Sequence, residues 1–202
     1  MSAAVWDEWN EHESPRHPNR HVVEFVQRNF TIPAASGTQA LDLGCGGGAD
    51  ARFLLECGFD VTAVDASSIG IVTTQARVRD LPGVLDVQQA RLSEFQVPPR
   101  SYACVISVGA LDAAGIDEAR IAVPRLVDAL RPGGKALLVF ASEGDYRVDR
   151  HPDLRLHGYS RREVEALIVL EFGTSAWIDT CTVTYQQDSM RQIDWLVTLA
   201  KR

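Results

Sequence analysis

The 202-residue chain has no long hydrophobic run, no excess of positive charge and no close pair of cysteines. Each absence removes a class of protein. The longest apolar stretches, such as 136–141, fall far short of the roughly 20 residues a spanning helix needs. The first 13 residues carry acids where a secretory signal would carry a basic start and an apolar run. Lys and Arg number 20 against 27 Asp and Glu, a formal charge of −7. That balance argues against a general polyanion binder, which needs a basic surface to displace counterions from phosphate, though a local basic patch stays open. Cysteines 45, 57, 104 and 181 are too widely spaced for a redox CxxC pair or a zinc knuckle, and read as buried, reduced thiols. A soluble, cytoplasmic, metal-free protein with no membrane partner is expected. At 46% hydrophobic and 23% charged, the chain has an ordinary globular composition and is long enough for a full core.

What is present is alternation. Short apolar runs at 40–43, 61–64, 84–88, 102–108 and 136–140 read as strands, separated by helical patterns at 50–57, 67–79 and 117–130. Such alternation predicts a parallel sheet with helices on both faces. Pro124 falls inside the third helix, where it removes a backbone donor, so a kink or two short helices are expected. Ahead of the sheet, 18–30 reads as an amphipathic helix with Pro18 at its first position and Val22, Phe25, Val26 and Phe30 on one face. Ser160 and Glu163 match a capping box, predicting a helix through Leu170. Strand-like segments at 175–183 and 193–200, joined by the polar Gln186-Gln187-Asp188-Ser189, predict an antiparallel hairpin.

The sharpest feature is Leu41-Asp42-Leu43-Gly44-Cys45-Gly46-Gly47-Gly48-Ala49, a strand running into a glycine turn and then a helix. Glycines there permit positive φ and close approach of a ligand to the backbone. Gly44-x-Gly46-x-x-Ala49 also fits the dinucleotide fingerprint, and Asp65 lies nineteen residues after Gly46, where a ribose-binding acid belongs. A nicotinamide-dependent oxidoreductase is therefore one reading. A phosphate-binding P-loop is excluded, because no Gly-Lys-Ser/Thr follows the glycines.

Three segments together, 41–48, Val61-Thr62-Ala63-Val64-Asp65-Ala66-Ser67 and Leu130-Arg131-Pro132-Gly133-Gly134, resemble the class I S-adenosylmethionine (SAM)-dependent methyltransferases in order and spacing. The ending Trp195-Leu196-Val197-Thr198-Leu199-Ala200-Lys201 resembles that family's last strand, and the terminal hairpin argues against a nicotinamide enzyme. The resemblance implies a three-layer, Rossmann-like α/β sandwich whose seven-stranded, mostly parallel sheet has an antiparallel C-terminal strand. It implies one domain over 1–202, with an N-terminal helical cover (1–36), a SAM-binding half (37–142) and an acceptor-side loop, helix and hairpin (143–202). It implies SAM as cofactor and S-adenosylhomocysteine (SAH) as product, with no metal. Carried onto this sequence, Gly44, Cys45 and Gly46 line the methionine moiety and Asp42 supports its amine. Asp65 accepts from the ribose hydroxyls, and Ala66 and Ser67 flank the adenosine. Ser107, Val108 and Gly109 pass beneath the methionine and ribose. Many members carry an acid after the third strand; Gln89-Ala90-Arg91-Leu92 has none, leaving Arg91 or Leu92 to line the adenine through backbone or stem. Many members also open the fourth strand with an aromatic residue and Asp, where this chain has Tyr102-Ala103.

The implied reaction is an in-line methyl transfer from SAM to O, N or S of an acceptor, with a non-catalytic SAM- or nucleoside-binding module as the alternative. The Pro-Pro aromatic signature of DNA amino-methyltransferases is absent from 107–112, and the −7 charge further disfavours nucleic acid, so a small-molecule acceptor is expected. Three residues are candidates for a general base or an acceptor-orienting group: His157 and Tyr159, in a loop over 143–159 that also holds Tyr146 and His151, and Asp112, just past the fourth strand. Ordinary solvation or backbone bonding is the alternative for each. Trp6 and Trp9 share a helical face that either packs on the domain or covers the acceptor. Arg147, Arg150, Arg155, Arg161 and Arg162 form either a solvated face or an anionic-substrate patch.

Overall fold

A computed structural model describes residues 3–150, 154–168, 174–185 and 190–202. Seven strands form one sheet: β1 (Gln39–Leu43), β2 (Asp60–Asp65), β3 (Leu85–Gln89), β4 (Tyr102–Val108), β5 (Leu130–Ala141), β6 (Thr174–Tyr185) and β7 (Met190–Lys201), in the spatial order β3-β2-β1-β4-β5-β7-β6. The pairs from β3 through β5 are parallel, while β7 runs antiparallel to both β5 and β6. The seven-stranded, mostly parallel architecture and the terminal hairpin are as expected. The Gln186–Ser189 link lies outside the described residues.

Side chains of the central strands alternate between two apolar layers. Leu41 and Leu43 of β1, Val105 of β4 and Leu138 and Phe140 of β5 join one cluster. Ala40, Cys104, Ile106, Leu137 and Val139 join the other. Strands buried on both faces read as continuous apolar runs, which is why they stood out in the sequence.

Helices α1 (Ala3–His12), α2 (Arg20–Asn29), α3 (Ala49–Glu56), α4 (Ser68–Val78), α5 (Ala110–Ala114), α6 (Ile116–Ala129), α7 (Tyr146–Arg150) and α8 (Arg161–Leu167) complete the described chain. Two local expectations are corrected. Pro18 precedes α2 rather than opening it; Asn19 is the cap, its side chain accepting from the His21 N–H at 2.9 Å. Pro124 does not divide α6, which runs unbroken through 14 residues. Pro124 is on the exposed side, where water can satisfy the carbonyl it leaves free, while Ala119, Ala122, Val123 and Leu126 pin the opposite side to the sheet. The Ser160–Glu163 capping box is formed, and α8 ends at Leu167; Leu170 lies outside the described residues.

The chain moves outward from β1 through β2 to β3, then returns with β4 on the other side of β1. Loops leaving the carboxyl ends of β1 and β4 therefore diverge, opening the crevice where ligands of such sheets bind.

Candidate active site

A cavity of about 840 Å³ occupies that crevice. One end is the turn after β1. The N–H groups of Gly44 and Cys45 both donate to the Val64 carbonyl, at 2.7 and 3.0 Å. Gly44 has φ +82°, and a Cβ there would fall 2.1 Å from the Ala110 Cβ. Only glycine lets the turn pass that close to α5. Asp65, at the end of β2, is fixed by two backbone donors: Gly46 to Oδ2 at 2.7 Å and Ser67 to Oδ1 at 2.8 Å. Burial raises its carboxyl above the ordinary range, and the N–H groups of Ser67, Gly46 and Ala66 pull it back. Asp50, in the first turn of α3, accepts from the Asn19 N–H at 2.7 Å, and burial pushes it up to about 6. Asp42 lies beneath the turn, 2% exposed, with Oδ2 unpartnered. Burial, then the charges of Asp50 and Asp65, hold it well above the usual carboxylate range.

A second stretch of wall is built from α5, α7 and the segment after α7, and includes Asp112, Tyr146, Arg147, Leu154 and Leu156. The Arg147 guanidinium forks onto Asp145, with Nε to Oδ1 at 2.9 Å and Nη2 to Oδ2 at 2.8 Å, and also meets Asp194. Burial opposes its charge, but these carboxylates raise its pKa. Asp112 is 2% exposed; its Oδ2 accepts from the Ala141 N–H at 3.1 Å. Burial pushes it up to about 6.

Trp6, Trp9 and Asn10 of α1 also line the cavity. The helix is held there by Asp7, which accepts from the Ser67 Oγ at 2.6 Å and from the Ile69 N–H at 3.1 Å. An acid at this end of α4 meets the exposed amides and the positive end of the helix dipole.

Of the residues singled out from the sequence, Gly44, Cys45, Gly46, Asp65, Ala66, Arg91, Leu92, Val108, Gly109 and Asp112 line this one cavity. Three others lie behind the wall: Asp42, Ser107 with its buried Oγ unpartnered, and Ser67. Ser67 serves as the α4 cap, accepting from the Gly70 N–H at 2.9 Å. Two candidates do not line the cavity. Tyr159 is fully buried away from the cavity, its hydroxyl donating to the Leu111 carbonyl at 2.9 Å. His157 is also off the wall, its ring Nε2 3.2 Å from Glu163 Oε1 and its ring edge-on to Tyr159. His151 lies outside the described residues. Asp50, Asn10 and Glu118 were not anticipated. Asp50 carried a signal, an acid in the first turn of the helix that follows the glycines. Glu118 pairs with Arg91 and faces Ser93 on the wall past β3.

A family model described as a methyltransferase domain matches residues 40–134, the stretch from β1 through the Gly133-Gly134 turn. This stretch, just under half of the chain, is thus similar to a methyltransferase domain. The chain is 32% identical over 120 residues to a ubiquinone biosynthesis O-methyltransferase of Rickettsia typhi, covering 58% of the chain and 46% of the relative. It is 29% identical over 118 residues to that of Rickettsia felis, with the same coverage. The chain thus spans about half the length of these curated relatives. Among solved structures, a Haemonchus contortus phosphoethanolamine N-methyltransferase 2, bound to phosphomonomethylethanolamine and SAH, matches with a TM-score of 0.72 and 16% identity. The match covers 98% of this chain and 56% of that one. A structure from work on converting a disulfide into a thioacetal during echinomycin biosynthesis matches with a TM-score of 0.71 and 21% identity, over 98% and 92% of the two chains. These likenesses establish the shared fold.

The resemblance to SAM-dependent methyltransferases implies SAM as cofactor, and the residues of this cavity suit it. The glycine turn has no room for side chains and leaves backbone open to a ligand. Asp42, Asp50 and Asp65 gather three carboxyl groups at that end, and the buried Asp42 Oδ2 has no partner. A cationic nucleoside with an ammonium and two ribose hydroxyls matches such a donor-poor, acid-rich end. Among the described residues no His/Cys/Asp/Glu group is arranged to hold a metal ion.

Proposed function

We propose that the chain binds SAM in this cavity and moves its methyl group to O, N or S of a small molecule. The observation that carries the proposal is the meeting of the glycine turn and the fixed Asp65 carboxylate at one end of a cavity whose remaining wall has a separate set of polar and apolar residues. Asp65 accepts from the ribose hydroxyls, Gly44, Cys45 and Gly46 border the methionine moiety, and Asp42 acts through the turn on its ammonium. Ala66, Arg91 and Leu92 flank the base; Val108 and Gly109 pass beneath the ribose. SAM, when bound, would supply an electrophilic methyl on a sulfonium. The protein's share is alignment of an acceptor opposite the carbon–sulfur bond, which supplies effective molarities of roughly 10⁵–10⁸ M. Residues 1–36 act as a cover, with Trp6 and Trp9 of α1 lining the cavity and excluding water from it. Residues 143–202 supply the acceptor wall. The net charge of −7 supports a small molecule over nucleic acid. No helix among the described residues is long and apolar enough to cross a membrane.

Calorimetric titration with SAM, SAH and NAD tests this reading. Binding of SAM and SAH is expected, followed by labelled-methyl transfer to an acceptor panel. Tight NAD binding without SAM binding overturns it.

A further inference from the structure

Five carboxylates and two guanidiniums line the cavity, and both guanidiniums are already engaged. Arg91 pairs with Glu118, and Arg147 is shared between Asp145 and Asp194. Asp50 and Asp65 belong to the glycine-turn end. Glu94 is exposed to solvent, which leaves Asp112: it is 2% exposed, with its Oδ2 on the Ala141 N–H and its Oδ1 without a partner. Trp6 and Tyr146 line the cavity with it, and aromatic faces attract cations. Among the described wall residues the remaining basic side chain is His17, exposed to solvent, so an anionic acceptor would find no free guanidinium or ammonium there. We propose that the acceptor is an amine and that its nitrogen is held by the Asp112 carboxylate.

This assignment rests on the methyl-transfer reading. An ammonium has no lone pair, so its proton leaves to water before transfer. The nitrogen lone pair then forms the N–C bond as the C–S bond breaks, and that bond's electron pair passes to sulfur. Positive charge thereby leaves the sulfur and arrives on nitrogen, beside Asp112. A fixed carboxylate at the place where charge develops lowers the barrier without reorganising. The charged groups facing Asp112 are Arg147 of α7, which favours its ionised form, and Asp194 of β7, which opposes it.

The test is calorimetry on the SAH complex of the full chain with 2-phenylethylamine, 2-phenylethanol and phenylacetate, extended to longer and shorter homologues of each. The amine is expected to bind at least about tenfold more tightly than the matched alcohol and acid, the scale of a charged hydrogen bond. Asp112→Asn and Asp112→Ser are expected to erase that preference while alcohol affinity stays near the wild-type value. Melting curves establish that each variant is folded, and the wild-type series decides the acceptor class without them. Failure to bind SAH overturns the cofactor reading. With SAH bound, tighter binding of alcohol or acid, or no binding by any amine of the series, overturns the amine assignment alone. A folded variant that keeps the amine preference overturns the role of Asp112.

Discussion

Two stretches of the cavity wall are built on different plans. The glycine-turn end is mostly backbone, delivered by neighbouring strands in fixed register: Asp42 pairs with Ala63 in the sheet, and Asp65 closes β2 one residue beyond the pair Leu43–Val64. Its contacts join residues about twenty positions apart. The rest of the wall is side chain, delivered by segments distant in sequence: α1 comes from the N-terminus, α5 from the centre, and Arg147 is tied to Asp194, 47 residues on. One plan constrains a single ligand tightly. The other can be rebuilt by changing a few side chains without disturbing the sheet, which suits a cofactor pocket shared across a family and an acceptor pocket particular to each member.

The largest effect expected from breaking this contrast is at Gly44. Gly44→Ala places a Cβ against Ala110 and a side chain at φ +82°, costing about 1–2 kcal/mol for the backbone and about 1–3 kcal/mol for overpacking. Loss of SAM binding with a lowered melting temperature is the expected outcome; unchanged calorimetry would mean that the turn is looser than its contacts. Asp65→Ala comes next, weakening SAM binding by about 1–3 kcal/mol through loss of charged hydrogen bonds. A third test uses pH. The folded-state carboxyl of Asp50 lies near 6 against an ordinary 3.8, so the folded protein holds the proton more tightly than the unfolded chain. Stability from this group is therefore present below about pH 4 and declines as pH rises through about 6. SAM affinity should run the opposite way, rising by about tenfold from pH 5 to 7 as cation-binding carboxylates ionise. Asp50→Asn should flatten both trends in melting and calorimetric series. The smallest effect probes the other plan. Tyr159→Phe should cost about 1–2 kcal/mol by orphaning the buried Leu111 carbonyl, while turnover stays within about twofold of wild type. A hundredfold loss of turnover in a folded variant would return Tyr159 to the reaction.

The same contrast explains what could be read in advance. The strands of the central sheet were legible to within a residue or two because both faces are buried, so apolar runs mark them without ambiguity. The upstream part of β5, 130–135, was less legible. It contains Pro132, Gly133 and Gly134, joins the sheet through a register shift, and looks like a turn. The glycine turn and Asp65 were legible because local spacing carries their chemistry. His157 and Tyr159 were misplaced because a loop residue's position depends on how the loop returns. Here Ser142 bridges Tyr159 and draws it inside. A sign of this was present: Tyr159 immediately precedes the Ser160 cap and Val164 lies four residues after that cap, both in one apolar cluster, the pattern of a hydrophobic staple. Nothing local could place Asp7 on the start of α4, some sixty residues away.

The position of β7 bears on how the protein is made. β6 touches the sheet only through β7, yet leaves the ribosome first. Until β7 docks, β6 is an unpaired strand and the edge of β5 is open. If it settles there, the seat of β7 is taken. Assembly therefore requires the hairpin to form before it docks, or β6 to yield its place, making the order of these last two strands a step at which a nascent chain can go astray.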